Sequence, residues 1–127
     1  MIAVDTSALV PIVREEPEAR LFGEVLSSRR VLVGTPTLLE ASMVLPSVVS
    51  GDAADRFLRS FLAEPGVEPV AFSFEMFEAA KVAFRFYGCG RHPAKLNFGD
   101  CMSYAVAKVL GIPLLYKGGN FAQTDLA

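Results

Sequence analysis

Four short, nearly continuous apolar runs are separated by longer segments in which apolar residues recur every three or four positions. The runs are Ile2–Asp5, Val31–Gly34, Val67–Phe72 and Pro113–Tyr116. Continuous rather than alternating hydrophobicity is typical of strands that are buried on both faces of a parallel sheet. The runs therefore predict a mostly parallel sheet of four to five strands, in which the C-terminal tail KGGNFAQTDLA supplies a further turn or edge strand.

The segments between the runs carry helical periodicity. They predict helices over Ser7–Val13, Glu18–Ser27, Pro36–Val49, Asp52–Ala63, Phe74–Tyr87 and Phe98–Leu110. Alternation of strands and helices at these lengths implies right-handed crossovers and a three-layer α/β/α sandwich. The length of 127 residues fits one domain over residues 1–127.

Composition narrows the class of protein. The chain is 52% hydrophobic and 20% charged, yet charges interrupt every apolar stretch before the roughly 20 residues that a membrane span needs. The N-terminus lacks the basic region of a signal peptide, and Cys89 and Cys101 lack a metal-type spacing. We therefore expect a cytoplasmic protein with reduced thiols and no membrane partner.

The net charge of −2 conceals an uneven distribution. Residues 1–80 carry six basic and twelve acidic side chains, whereas residues 81–127 carry six basic and two acidic ones. Such a chain can present a basic face to phosphate groups. An ordinary solvated surface explains the same distribution equally well.

Asp5 is the first candidate for a functional carboxylate. It ends the first predicted strand, and ligands of open α/β sheets bind beyond the carboxyl ends of the strands. Asp is also a preferred N-cap, so a helix cap is the simpler interpretation of Asp5 taken alone. If Thr6 or Ser7 caps the helix instead, the Asp5 carboxylate is free to face a cation.

Glu40 follows the second predicted strand within the segment TPTLLE. Thr37 and Glu40 match a capping box. Alternatively, Pro36 occupies the first helical position and Thr35 is the cap. Either arrangement places Glu40 in the first turn of the helix, close to the end of the strand.

Asp100 occupies the third position of the last predicted helix, with Asn97 as the cap. Helix first turns that meet where the strand order reverses would bring Asp5, Glu40 and Asp100 together. Carboxylates held this close repel one another unless a cation is present, and Mg²⁺ prefers oxygen ligands of this kind. The spacing favours a magnesium site, although capping accounts for each residue singly.

With these residues identified, the chain resembles PIN-domain proteins, specifically the VapC-type ribonuclease toxins of toxin–antitoxin pairs. The resemblance covers the whole chain. It rests on the segments IAVDTSALV, TPTLLEA, GRHPAKLNFGDCMSYAVAK and PLLYKGGNFAQTDL, in this order and spacing. The most distinctive piece is HPAKLNFGDC.

The resemblance implies a Rossmann-like fold and endonucleolytic cleavage of RNA that depends on Mg²⁺, with Mn²⁺ as a substitute. It implies that Asp5 and Asp100 ligate the metal and that Glu40 acts through a water molecule or as a base. It also implies a homodimer, neutralisation by a cognate VapB-type antitoxin, and a larger assembly of both proteins on operator DNA. The apolar segments LPSVV and RFLRSFL are candidate surfaces for these protein partners.

One position departs from the pattern of the family. Close relatives place a fourth acid after the last strand, where this chain has KGGNF at residues 117–121. Asn120 offers a metal a carbonyl oxygen without charge, and Asp125 is the other candidate in the tail. The departure keeps an alternative open, namely a weakly active or inactive PIN domain that binds RNA or protein.

Basic and hydroxyl side chains near the predicted site are candidates for contacts with RNA. Arg85, Arg91 and Lys95 lie in or near the loop before the last helix and are expected to contact phosphates. Ser7 or Thr6 is expected to hydrogen-bond a phosphate or Asp5. For the basic residues, a solvated surface position is the simpler interpretation.

A receiver-type signalling domain is the main alternative fold with a carboxylate–Mg²⁺ pocket. Lys117 superficially matches the lysine that follows the last strand of receivers. Receivers, however, need two adjacent acids after the first strand, where this chain has only Asp5. They also need an acid at the end of a middle strand, where this chain has Phe72 and Ser73. The acidic residues therefore argue against a receiver.

Overall fold

The sheet of the computed structural model, which describes residues 1–127, contains four strands. They are β1 (Ile2–Val4), β2 (Val31–Gly34), β3 (Val67–Val70) and β4 (Leu114–Leu115). All four pair in parallel in the order β3-β2-β1-β4, so β1 and β2 are the interior strands. The predicted parallel sheet is confirmed, with four strands.

The two edge strands are shorter than the apolar runs that predicted them. β3 ends at Val70 rather than Phe72 and is only partly buried, because an edge strand pairs on one side. Pro69 is tolerated there since it has no amide hydrogen to donate to a missing neighbour. The C-terminal tail adds no fifth strand and instead forms a 3₁₀ turn at Phe121–Gln123.

Six α-helices connect the strands. They are α1 (Thr6–Val13), α2 (Ala19–Ser28), α3 (Thr35–Val44), α4 (Gly51–Ala63), α5 (Phe74–Tyr87) and α6 (Phe98–Leu110). All except α3 begin and end within one residue of the predicted bounds. None of them combines the length and the apolar character that a membrane-spanning helix requires.

The predicted helix Pro36–Val49 is too long. α3 ends at Val44, and the chain continues as a 3₁₀ helix at Leu45–Ser47. Pro46 explains the early end, because proline has no amide hydrogen for the helical ladder and its ring collides with the preceding turn.

Two hydrophobic cores lie on opposite faces of the sheet. Along β1, Ala3 belongs to the core formed with α5 and α6. Its neighbours Ile2 and Val4 point the other way, into the core formed with α1 to α4. This alternation confirms the three-layer α/β/α sandwich. It also places the reversal of strand order at β1, with β2 on one side and β4 on the other.

Leu45 tests the core beneath α1 to α4. It is fully buried, so Leu45→Ala is expected to lower the free energy of unfolding by about 2–5 kcal/mol through lost burial and the cavity left behind. Met43 in α3 is 71% exposed, and Met43→Ala should change the free energy of unfolding by about 0.5 kcal/mol or less. Urea denaturation of both variants checks the difference, and equal losses would contradict the assigned core.

Candidate active site

The Asp5 carboxylate is buried at the carboxyl end of β1 and has two hydrogen-bond donors. Only 3% of the residue is exposed. Oδ2 accepts a hydrogen bond from the Ser7 amide (3.0 Å), so Asp5 itself is the N-cap of α1. Oδ1 accepts one from the Ser103 hydroxyl on α6 (2.5 Å). The interpretation of Asp5 as a cap is confirmed, and capping by Thr6 or Ser7 is wrong.

Glu40 approaches this edge of the sheet from the second turn of α3. Gly34 precedes the helix as N-cap, and no side chain caps this end. The predicted caps, Thr37 with Glu40 or Thr35, are therefore wrong. Two of these side chains have other partners, since Thr37 shares a buried hydrogen bond with Ser103 (3.2 Å) and Glu40 faces α1.

The two hydroxyl residues that follow Asp5 support the site from within the protein. Thr6 is buried, and its hydroxyl donates a hydrogen bond to Glu40 Oε1 (2.7 Å). The hydroxyl of Ser7 accepts a hydrogen bond from the Lys117 amide just after β4 (3.1 Å). Contact of either hydroxyl with a phosphate stays a prediction.

Asp100 lies at the N-terminus of α6 in the predicted position. The Asn97 side chain accepts a hydrogen bond from the Asp100 amide (2.9 Å), and Asp100 Oδ2 accepts one from the Asn97 amide (3.0 Å). This reciprocal pair is a capping box. The predicted cap is confirmed.

Burial and mutual repulsion raise the pKa values of two of the three carboxyl groups. Burial is the main cause of the raised pKa of Glu40, and the charges of Asp5 and Asp100 raise it further against the opposing effect of the Thr6 hydrogen bond. Burial likewise raises the pKa of Asp100, with a contribution from Asp5, against the lowering effect of the Asn97 amide. The three carboxylates therefore lie close enough to influence one another.

The carboxylates suit a hard cation in chemistry and charge, although they are not yet arranged as its ligands. No group of three or more His, Cys, Asp or Glu side chains is disposed to hold a metal ion. All donor atoms are oxygens, as Mg²⁺ requires. None of the three takes part in an ion pair, so their negative charge has no neutralising side chain.

Asn120 lies beside Asp100, where its side chain lowers the pKa of the Asp100 carboxyl group. The chain reaches this position through a turn at Gly118, whose φ of 101° is readily adopted only by glycine. A neutral amide therefore stands where the resemblance implied an acid.

Two charged residues of the tail, Asp125 and Lys117, bind partners outside the candidate site. Asp125 accepts hydrogen bonds from the Tyr104 hydroxyl (2.7 Å) and the Lys108 ammonium (2.8 Å), further along α6 than Asp100. It therefore does not replace the missing acid. The ammonium of Lys117 pairs with Glu18 (2.7 Å) and not with the candidate site.

Cys101 follows Asp100 but is not a candidate nucleophile. Burial, together with the Asp100 charge, raises the pKa of the Cys101 thiol to about 11, so the group is a protonated thiol at neutral pH. Cys101 is buried and Cys89 is exposed, and both are free. The expectation of unpaired cysteines is confirmed.

The predicted basic residues fall into two groups. Arg85 and Arg91 line a surface depression of about 440 Å³ together with Lys81, and the Arg91 guanidinium lies over the Phe84 ring at 5.3 Å. Lys95 does not line this depression and is exposed in the loop before α6. The structure thus brings Arg85 and Arg91 together and leaves Lys95 apart.

Sequence reasoning missed Ser103 and Thr37, the hydroxyl residues that support Asp5 from α6 and α3. Ser103 is three residues after Asp100, and positions i and i+3 are neighbours on a helix surface. That spacing is the one signal in the sequence from which Ser103 could have been predicted. Thr37 was assigned instead to a helix cap.

Comparison with known proteins agrees with the fold. The PIN domain family matches residues 2–126. A ribonuclease VapC of Mycolicibacterium smegmatis is 44% identical over 127 residues, covering 99% of this chain and 98% of the relative.

Two solved structures share the fold at lower identity. VapC20 of Mycobacterium tuberculosis, a sarcin-ricin loop cleaving toxin, has a TM-score of 0.77 and 19% identity, covering 100% and 98% of the two chains. VapBC2 of Rickettsia felis, bound to a DNA fragment from its promoter, has a TM-score of 0.73 and 15% identity, covering 99% and 95%.

A match over nearly the whole chain defines the class of protein, an α/β protein with a PIN domain. The chain belongs to the PIN-domain family and, within it, to the VapC group of ribonucleases. The resemblance to this family is thereby confirmed. The match includes the segments that carry Asp5, Glu40 and Asp100.

Glu40→Gln tests the electrostatic cost of the site. The pKa of Glu40 in the folded protein is raised above its ordinary value of 4.5. The folded protein therefore loses stability as the pH rises from the ordinary pKa through the raised one, because the carboxyl group must then ionise in an unfavourable environment. Without divalent cations, Glu40→Gln should therefore be more stable than the wild type at neutral pH and gain nothing near pH 4. Gln can still accept the Thr6 hydrogen bond.

Urea denaturation with a chelator at both pH values checks this expectation. Glu78→Gln, which removes an exposed carboxylate of α5, is the matched control and should produce no such gain. A variant at position 40 that is less stable than the wild type at neutral pH contradicts the expected repulsion.

Proposed function

We propose that this protein is the toxin of a toxin–antitoxin pair and hydrolyses phosphodiester bonds of RNA in a Mg²⁺-dependent reaction. The observation that carries the proposal is the proximity of three carboxylates at one edge of the sheet, none of them paired with a basic side chain. Membership of the VapC group supports RNA as the substrate class. The activity and its dependence on Mg²⁺ or Mn²⁺ stay predictions.

The residues suited to hold the metal come from four segments of the chain. Asp5 and Asp100 would provide carboxylate oxygens, Glu40 would act through a water molecule, and Asn120 would add a neutral oxygen. When bound, Mg²⁺ supplies charge neutralisation at the phosphate and lowers the pKa of a bound water. With this neutral fourth position, we expect a site with fewer charges than the relatives provide.

Glu40 is the group best suited to take a proton from the attacking water. Its raised pKa brings the carboxylate closer to neutral pH, where a general base is more effective than an ordinary glutamate. The Thr6 hydroxyl holds Oε1 in place, and Oε2 lies against Gly99 in the first turn of α6. Asp5 has less freedom, because both of its oxygens already accept hydrogen bonds.

The depression lined by Lys81, Arg85 and Arg91 is proposed as the track for RNA phosphates. It lies at the end of α5 and in the loop that leads to Asp100. Clustered basic side chains on a surface attract phosphates whatever the base sequence. The Arg91 guanidinium lies over the Phe84 ring, a cation–π contact that helps to fix its position.

Two separate apolar grooves are available to the expected protein partners, a cognate antitoxin and a second copy of the chain. A groove of about 320 Å³ includes Phe57 and Phe61 of the predicted RFLRSFL surface. Another, of about 390 Å³ between α5 and α6, includes Phe98, which is 79% exposed. In the LPSVV segment Leu45 is fully buried in the core, whereas Pro46 and Ser47 are exposed, and its role as a partner surface stays a prediction. Antitoxin binding, the homodimer and assembly on operator DNA stay predictions.

Asp100→Asn tests the proposed activity. Asparagine keeps an oxygen for the Asn97 amide and so preserves the cap, while removing the charge. We expect the Mg²⁺-dependent cleavage rate to fall more than about 100-fold, since even residues that only support metal ligands contribute 10- to 100-fold. Cleavage of labelled total RNA with Mg²⁺, and with a chelator, measures the effect.

Asp125→Asn is the matched control, because its carboxylate serves Tyr104 and Lys108 instead. It should retain activity. The alternative function, a weakly active or inactive PIN domain that binds RNA or protein, predicts that the wild type and Asp100→Asn are equally inactive. Full activity of Asp100→Asn would overturn the assigned site.

Arg91→Gln tests the phosphate track. In an Asp100→Asn background that does not cleave, removal of this charge should weaken binding to single-stranded RNA and reduce the slope of log affinity against log salt by about 0.7 to 1. Fluorescence anisotropy over a range of salt concentrations measures both quantities. Arg56→Gln on α4 is the control. An equal effect of both variants would mean that RNA binding depends only on the net charge of the protein, and would contradict the proposed track.

A further inference from the structure

Gly99 lies between the capping pair of α6, and the Glu40 carboxylate rests against it. A Cβ atom built on Gly99 would lie 2.7 Å from Glu40 Cδ and 3.0 Å from Oε1, and even closer to Oε2. These distances are far inside van der Waals contact, so any other residue at position 99 would meet the whole carboxylate group of Glu40.

The backbone itself does not require glycine at this position. The glycines with a positive φ are Gly90, Gly111 and Gly118, and Gly99 is not among them. It is the second residue of α6, where the backbone conformation is open to any residue. The close approach of Glu40 is therefore the reason that the contacts provide for a glycine at this position.

We propose that Gly99 is a positioning residue, whose missing side chain lets the Glu40 carboxylate lie beside Asp5 and Asp100. The inference rests on the proposed function, because it assigns Glu40 to that same site. The colliding atoms belong to the end of a flexible side chain and not to the backbone. Gly99→Ala should therefore displace Glu40 and leave the fold unchanged.

Displacement of Glu40 has a defined structural consequence. The Thr6 hydroxyl donates to Glu40 Oε1 at 2.7 Å. A Cβ at position 99 would crowd this oxygen from 3.0 Å and Oε2 from a still shorter distance. We therefore expect displacement of the carboxylate to break the hydrogen bond to Thr6. This provides a readout that does not depend on cleavage or on a metal ion.

The first experiment is a stability cycle in urea, with a chelator, for the wild type, Thr6→Val, Gly99→Ala and the double variant. Thr6→Val should lower the denaturation midpoint of the wild type, because it removes the donor to Glu40. In the Gly99→Ala background the same change should have no further effect. Additive effects of the two substitutions on the midpoint would overturn the proposal.

The second experiment measures RNA cleavage with Mg²⁺ by Gly99→Ala and by the control Gly23→Ala. Gly23 lies within α2, and a Cβ there meets no atom within 4 Å, so that variant should match the wild type. Gly99→Ala should lose about 100-fold in rate, as expected for a misplaced catalytic group. A loss of less than about threefold contradicts the positioning role.

Glu40→Asp provides a rescue, since its carboxylate is one methylene shorter and withdraws from position 99. It should lower the rate in the wild-type background but leave unchanged or raise the rate of Gly99→Ala. If it lowers both equally, the contact between the two residues does not control activity, and the proposal fails. If the wild type itself cleaves no RNA, the proposed function fails, whereas the stability cycle still decides the role of Gly99.

Discussion

The hydrogen bonds to the buried Asp5 carboxylate are the interactions on which the candidate site depends most. A carboxylate withdrawn from water is costly unless donors satisfy it, and here the Ser7 amide and the Ser103 hydroxyl do so. One donor belongs to α1 and the other to α6, which pack on opposite faces of the sheet. The strand that carries Asp5 pairs on both sides. A single charged group thereby ties the three layers together at the edge where the site lies.

The other two carboxylates show that structural and chemical roles are compatible in one side chain. Asp100 uses one oxygen for the capping box, and Glu40 uses one for Thr6. In each case this hydrogen bond involves only one of the two carboxylate oxygens. The cost is electrostatic, because burial and repulsion disfavour the charged forms of both groups. The protein therefore holds at this edge an arrangement that is unfavourable for folding, as sites shaped by function often are.

Much of the architecture followed from hydrophobic periodicity, because buried parallel strands and amphipathic helices impose different spacings. The exceptions have local causes: Pro46 shortened α3, and edge pairing shortened β3. At the site, the capping box of Asp100 was predictable since its partners are three residues apart. The bond between Thr6 and Glu40 joins residues 34 positions apart, and that between Asp5 and Ser103 joins residues 98 apart. No local pattern encodes such pairs, which is why Glu40 was assigned to a helix cap.

The strand order has a consequence for the time at which the site can form during synthesis. β1 is the first strand to be made, yet one of its two neighbours is β4, which follows all six α-helices in the chain. A nascent chain that extends only through α5 contains Asp5 and Glu40 but lacks Asp100 and Ser103. Contacts of such large sequence separation form late, because the intervening loop must close first. Most of the chain is therefore translated before the three carboxylates can meet. Until then, the chain on the ribosome does not contain an assembled candidate site.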